Sequence, residues 1–268
     1  MASSGKTGRR LTARLRAEGV PVRAASRSAT GRERFEWGER DTWGPALEGV
    51  RAAYVVPLEA AGEAAAEAVD AFARQAVASG VERLVLLSAH GYPEATEAPE
   101  RAVREAGAEW TVLRPSWFSQ NFSEDFLRDP VLAGEVRLPT GEGRVPFIDA
   151  EDIAEVAAAA LTGSGHHGRS YALTGPRLMT FGDAVAEIAT ATGRGIRYVP
   201  VSDEEYAARL RAAGLGEEAA REVLGLLAPL REDAGALPGD GVERALGRAP
   251  RDFAAYARAA AAEGVWDA

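Results

Sequence analysis

The first half of the chain alternates short apolar runs with amphipathic stretches at a spacing of roughly 25 residues, the pattern of βα units on a parallel sheet. The runs Val22–Ser26, Ala53–Pro57, Leu84–Ser88 and Thr111–Arg114 predict strands, with a weaker candidate at Arg34–Trp37. Leu84-Val85-Leu86-Leu87 shows no polar alternation, as expected of a strand covered by helices on both faces. Between these runs, Gly8–Glu18 puts Leu11 and Leu15 on one face and Arg9, Arg10, Arg14 and Arg16 elsewhere, then meets Gly19 where a helix C-terminus favours glycine. A second helix is predicted over Glu63–Ser79, burying Val69, Phe72, Ala76 and Val77.

After Arg114-Pro115 the pattern changes. A Thr140-Gly141-Glu142-Gly143 turn precedes a strand-like Val145–Ile148, Asp149 reads as the cap of a helix through Leu161, and Ser170–Leu173 reads as a strand. Thr180–Asp183 and Ser202–Glu205 read as helix starts, the second with the spacing of a reciprocal capping box. The C-terminal third is therefore expected to be mostly helical.

Composition narrows the classes of function. With 268 residues, 46% of them hydrophobic, the chain can bury a full core. A net charge of -9 argues against nucleic-acid binding, which needs an excess of clustered Lys and Arg, and favours a small-molecule substrate. The absence of Cys removes disulfides, thiolate catalysis and Cys-type zinc sites. No leader-like start or membrane-length apolar run is present, so the expectation is a soluble cytoplasmic protein without membrane partners, monomeric or homodimeric.

One glycine-rich cradle stands out, Ser3-Ser4-Gly5-Lys6-Thr7-Gly8, running directly into a helix. Such a turn lets backbone N–H groups approach a pyrophosphate at the positive end of a helix dipole. Arg27 follows the second predicted strand, where dinucleotide folds choose between an acid for a ribose hydroxyl and a cation for a 2′-phosphate, and so favours NADP(H); the alternative is one of several solvated arginines in Arg23–Arg34. Gly5-Lys6-Thr7 as the tail of a triphosphatase loop is rejected, because neither Val55-Val56-Pro57 nor Leu86-Leu87-Ser88 ends in the acid that such a site needs for magnesium. His166-His167 reads as a solvated loop rather than a metal site, and no metal is expected. Glu204-Glu205 and Glu217-Glu218 read as helix-dipole partners.

Several dispersed segments carry a resemblance: Gly5–Arg10, Phe35–Trp37, Ala53–Pro57, Trp110–Phe118, Asn121-Phe122, Arg144–Asp149, Tyr171–Gly175 and Val242–Arg244. Taken in order, they resemble the signatures of NmrA-like proteins, an atypical branch of the short-chain dehydrogenase/reductases, and most of all the bacterial NAD(P)H:quinone oxidoreductase type. The resemblance implies an α/β, Rossmann-like doubly wound parallel sheet, with a smaller, mostly helical C-terminal part that binds substrate. The dinucleotide-binding part would span 1–116 and continue in segments of 144–174, and 117–268 would mostly form the substrate part. It also implies NADP(H) as cofactor, with Ser4, Gly5, Lys6, Thr7 and Gly8 at the phosphates and Arg27 at the 2′-phosphate. Pro57, Ser88 and Pro115 would lie along the cofactor, and Trp117, Phe118 and Asn121 beside the substrate.

Two departures stand against this pattern. Relatives carry an apolar strand and a Gly-containing turn where this chain has Met1-Ala2-Ser3-Ser4, with Ala2 at the first glycine's place. That strand is central in the usual order, so its neighbours would lack partners, at about 1–3 kcal/mol for each buried unpaired group. A late-assigned start, a truncation with re-pairing and a divergent protein that has given up its cofactor all fit. The second departure is catalytic: the Tyr-Lys couple of short-chain dehydrogenases is absent, because Lys6 is the only lysine. An unassisted phenol with a pKa of about 10 is a reluctant acid. A quinone tolerates this, since its ring stabilises the developing charge, and His90 or Tyr92 is the candidate donor to the acceptor oxygen. The leading expectation is thus an NADPH-dependent reductase of quinones or conjugated carbonyls. Its rivals are a redox-inactive dinucleotide sensor and a cyclase or isomerase on the same fold.

Overall fold

The computed structural model describes residues 3–57, 63–233 and 235–267; Ala2, the substitute for the first glycine, lies outside them. The chain begins with α1 (Lys6–Ala17), α2 (Trp43–Leu47), β1 (Ala52–Val55), α3 (Glu63–Ala78), β2 (Arg83–Leu87), α4 (Pro93–Glu105) and β3 (Glu109–Pro115). It continues through α5 (Asn121–Glu124), α6 (Arg128–Leu132), β4 (Glu135–Leu138), β5 (Arg144–Val145), α7 (Ala150–Thr162) and β6 (Arg169–Leu173). The rest comprises β7 (Met179–Thr180), α8 (Phe181–Thr192), β8 (Arg197–Pro200), α9 (Asp203–Ala212), α10 (Glu217–Leu227), α11 (Gly241–Leu246) and α12 (Phe253–Ala262). These elements form two compact units, each assembled from separate stretches of chain. The first comprises Met1–Pro115, Ala150–Leu173 and Gly239–Ala249; the second comprises Ser116–Asp149, Thr174–Pro238 and Pro250–Ala268.

The first unit is a parallel sheet in the order β1-β2-β3-β6, flanked by helices in a Rossmann-like α/β fold. On one face Ala53, Val55, Leu84, Leu86 and Val112 pack with Val69 and Phe72 of α3. Tyr54, out of phase with them, reaches α1 through its hydroxyl. Both faces are covered, which is why β2 reads as an unbroken apolar run. Helix α1 ends as its sequence predicts. Gly19 adopts φ +74°, its N–H donates to Arg16 O at 3.0 Å and Val20 N–H donates to Leu15 O at 2.9 Å, a paired closure that glycine permits without Cβ strain. Arg14 bonds Glu155 at 2.6 Å and Arg10 bonds Glu151 at 2.8 Å, fixing α1 against α7.

The structure corrects several expectations. Val22–Ser26 forms no regular strand: Ser26 bridges to Arg34, and Ala25 O accepts from Ser3 N–H at 3.1 Å. A strand needs a partner along its length, and here the side towards β1 opens into a groove of about 690 Å³. Arg34–Trp37 likewise contributes that single bridge, its rings packing with Trp43 and Phe72 instead. Of Val145–Ile148, only Val145 is in a strand, within Arg144–Val145 paired antiparallel to β7, while Ile148 N–H donates to Trp117 O at 2.9 Å. The reciprocal capping box forms at Thr180 and Asp183, not at Ser202. Ser202 accepts from Glu205 N–H at 3.1 Å, but the Glu205 carboxylate is drawn to Arg137 at 3.2 Å.

The second unit packs around aromatic side chains, with Phe147 edge-on to Phe181 at 5.1 Å and Phe122 edge-on to Phe253 at 5.5 Å. The buried Trp266 indole donates to Phe122 O at 2.8 Å. Among the described residues no helix is long and apolar enough to cross a membrane.

Candidate dinucleotide site

Parallel strands end on the same side of their sheet, and that side is where an open α/β fold receives a ligand. Ser88 follows the last residue of β2, Pro115 closes β3, and Pro57 lies two residues beyond the end of β1, so the sheet brings all three to its carboxyl edge. Ser88 N–H donates to Leu113 O at 2.7 Å and His90 N–H donates to Pro115 O at 2.9 Å, which carries the ladder past β2 and fixes His90 at the end of β3. Gly91 turns the chain at φ +86°, and Tyr92 is the N-cap residue of α4. The backbone thus brings both candidate proton donors to the same edge.

The glycine cradle stands at the N-terminus of α1. Gly5 is the N-cap residue of this 12-residue helix, with extended backbone and no side chain of its own to cap the first turn. Ser4 and Gly5 are exposed, Lys6 is half-buried, and Thr7 and Gly8 are buried. Thr7 Oγ1 accepts from the Tyr54 hydroxyl at 3.1 Å, which ties the first turn to β1. Burial pushes the Tyr54 phenol well above its ordinary pKa, so this donor keeps its proton. The uncapped turn, its glycines and the helix dipole fit the diphosphate of a nicotinamide dinucleotide. Arg27 is exposed immediately after Ser26, and its carbonyl accepts from Arg34 at 3.2 Å.

The candidate substrate residues lie in the second unit. Trp117 is half-buried, edge-on to Phe181 at 5.8 Å and to Phe126 at 6.4 Å. Phe118 bridges Ile148, and Asn121 starts α5 with its N–H on Phe118 O. Asp149 serves a contact that its sequence position did not show. Its carboxylate accepts from Gln120 Nε2 at 2.8 Å in a buried pair, and α7 begins at the next residue.

Sequence reasoning missed Glu100, whose side chain is fully buried on α4. Ser88 Oγ donates to it at 2.7 Å, Arg114 Nε at 2.7 Å and Arg104 at 2.6 Å. Burial alone would raise its pKa, but the bonds from Arg114 and Ser88 and the charges of Arg114 and Arg104 outweigh this, leaving the carboxyl below its ordinary value. Glu100 therefore holds Ser88 in place at the carboxyl edge. A signal was available in the helical spacing of Glu100 with the apolar Val103, which puts an acid on an inward face. The histidine loop is also more ordered than predicted. His166 Nδ1 shares a hydrogen with the Tyr171 hydroxyl at 2.9 Å, and His167 Nδ1 accepts from Trp110 N–H at 3.1 Å. Among the described residues no group of side chains has the makeup of a metal site.

A family model described as NAD(P)H-binding matches residues 3–164. An uncharacterized oxidoreductase, YesF, of Bacillus subtilis is 34% identical over 268 residues, covering 97% of this chain and 93% of its own. The solved structure of Citrobacter sp. triphenylmethane reductase complexed with NADP(H) superposes with a TM-score of 0.76 at 18% identity, covering 97% of both chains. The NADPH-dependent quinone oxidoreductase QOR2 of Escherichia coli, complexed with NADPH, superposes with a TM-score of 0.75 at 19% identity over 96% of both. Those two structures share the fold. With the family model spanning more than half of its length, this chain belongs to the NAD(P)H-binding family that the model describes.

Proposed function

We propose that the protein is an NADPH-dependent oxidoreductase that reduces a quinone or another conjugated carbonyl compound. The observation that supports this reading is that Ser88, His90 and Pro115 share the carboxyl edge of one sheet, to which the first turn of α1 is tied through the Thr7–Tyr54 bond, in an NAD(P)H-binding family chain. When bound, the reduced nicotinamide supplies a hydride. The peptide N–H groups of the first turn of α1 hold the diphosphate, with Lys6 adding charge, and the Arg27 guanidinium selects the 2′-phosphate. Pro57, Ser88 and Pro115 form the bed along the strand ends. His90 or Tyr92 donates the hydrogen bond that polarises the acceptor oxygen, and Trp117, Phe118 and Asn121 contact the substrate. Without a Tyr-Lys couple the proton donor is weak, so positioning of donor and acceptor supplies most of the rate, which suits a quinone better than a plain ketone. The name of one relative is consistent with this reading, an NAD(P)H azoreductase of Xenophilus azovorans, 38% identical over 167 residues.

The test is direct. Purified protein is mixed with NADPH and a panel of small quinones, and loss of the reduced-nicotinamide absorbance is followed. Turnover with quinones but not with saturated ketones is expected. Measurable NADPH binding without turnover on any acceptor would overturn the enzyme reading in favour of a dinucleotide sensor, the second reading that the missing couple keeps open.

A further inference from the structure

The Glu100 carboxylate is saturated. Its Oε1 accepts from Ser88 Oγ and from Arg114 Nε, each at 2.7 Å, and its Oε2 accepts from Arg104 at 2.6 Å and from the second arm of the Arg114 guanidinium. An ionised carboxylate offers about four lone-pair sites, so every site is taken. A hydroxyl has a single hydrogen to donate and lone pairs with which to accept. Ser88 spends that hydrogen on a group that has none to give back, and the flanking arginines keep the group charged.

Among the described residues no donor reaches Ser88 Oγ in return, and Ser88 is half-buried rather than sealed. The sheet sets its place. Leu86 pairs with Val55 and Leu87 with Leu113, so Ser88 stands level with Pro57 on one side and with Arg114 on the other, one step past the last rung of β2. Its N–H is spent on Leu113 O at 2.7 Å, which leaves the Oγ lone pairs as the polar capacity of its side chain.

On the dinucleotide part of the function proposed above, we infer that Glu100 is a positioning residue: it fixes the Ser88 hydroxyl as a hydrogen-bond acceptor for a donor on the nicotinamide half of the cofactor, a ribose hydroxyl or the carboxamide NH2. Arg27 takes the adenosine end, and the α1 turn, tied to β1, takes the diphosphate. The strand beside β1 then meets the group that follows the diphosphate, and neighbouring strands lie about 4.8 Å apart, a span that one ribose covers. The committed hydrogen also bars Ser88 from polarising the oxygen on which negative charge develops, and that task stays with His90 or Tyr92.

The test is calorimetry on the full chain with NADPH and with its reduced 3-acetylpyridine analogue, in which a methyl group replaces the carboxamide NH2. Ser88→Ala should weaken NADPH binding about three- to tenfold. If the analogue loses as much, the donor is a ribose hydroxyl; if it loses nothing, the donor is the carboxamide. Glu100→Gln should weaken NADPH binding by a similar factor in the wild-type background and not in the S88A background, because it acts through that hydroxyl. E100D, one methylene shorter, takes its place in the same cycle if the Gln variant does not fold. Unaltered NADPH affinity in S88A overturns the proposal. A fall in kcat at unchanged affinity does so too, since Ser88 would then donate to the acceptor oxygen. Equal losses from E100Q in both backgrounds overturn the positioning role and leave Glu100 a structural part. The deciding arms read binding, so failure of turnover alone counts against the oxidoreductase reading and not against this one.

Discussion

Replacing Glu100 by Gln tests whether the carboxyl edge of the sheet is held by a buried charge. The carboxylate is fully buried and receives Ser88, Arg104 and Arg114 at 2.6–2.7 Å. A hydrogen bond to a charged group contributes about 1.5–3 kcal/mol, and breaking a fully buried pair costs about 3–5 kcal/mol. Both arginines remain about one-third exposed and regain water when the charge is removed, and Gln keeps one acceptor. The expected loss is therefore about 2–3 kcal/mol, read as a lower urea midpoint at an unchanged slope. The pH dependence follows from the depressed pKa of Glu100. A carboxyl held below its unfolded value contributes its full stability above that value, about 4.3, and loses it as pH falls through the lower folded value. Wild type and E100Q should thus differ most near neutrality and converge in acid. A difference under about 0.5 kcal/mol at neutral pH, or one that stays constant down through the carboxylate range, would refute the argument.

Other substitutions probe the remaining contacts. Arg27→Ala should raise the KM for NADPH about tenfold or more and leave that for NADH nearly unchanged, since a bound phosphate loses a charge-assisted partner; equal effects on both cofactors in steady-state kinetics would remove Arg27 from the site. Tyr54→Phe should cost about 1 kcal/mol in thermal unfolding and weaken NADPH binding in calorimetry, because the hydroxyl that holds Thr7 in the first turn of α1 is lost; unaltered affinity would show that this bond does not shape the cradle. Gly175→Ala places a Cβ 2.1 Å from the Phe147 carbonyl oxygen, a backbone clash expected to cost about 1–3 kcal/mol, so a variant melting like wild type would contradict the described approach.

Legibility in the sequence followed locality. β2 and α1 could be read directly, since Leu84–Leu87 is apolar on both faces and Gly19 stands at the closing turn. Residues 22–26 have the composition of a strand, but being a strand depends on a neighbour that no local pattern supplies. The site divides in the same way. The cradle Ser3–Gly8 and the strand-end positions Ser88 and Pro115 are contiguous with recognisable elements. Glu100 sits in the charge-rich segment Pro93–Glu105, and it is engaged by Ser88 and Arg114 from two other elements. Glu205 shows how a correct local signal is redirected, because Arg137 arrives from a distant stretch to claim its carboxylate.

The interleaving of the two units in the chain sets a constraint on biogenesis. The first unit is not complete until Gly239–Ala249 has been added, and the second not until Pro250–Ala268 follows. During vectorial synthesis the β1-β2-β3 ribbon must wait, with its apolar faces incompletely covered, while more than half of the polypeptide is still being translated. Neither unit can be released by a single proteolytic cut or expressed as one uninterrupted fragment.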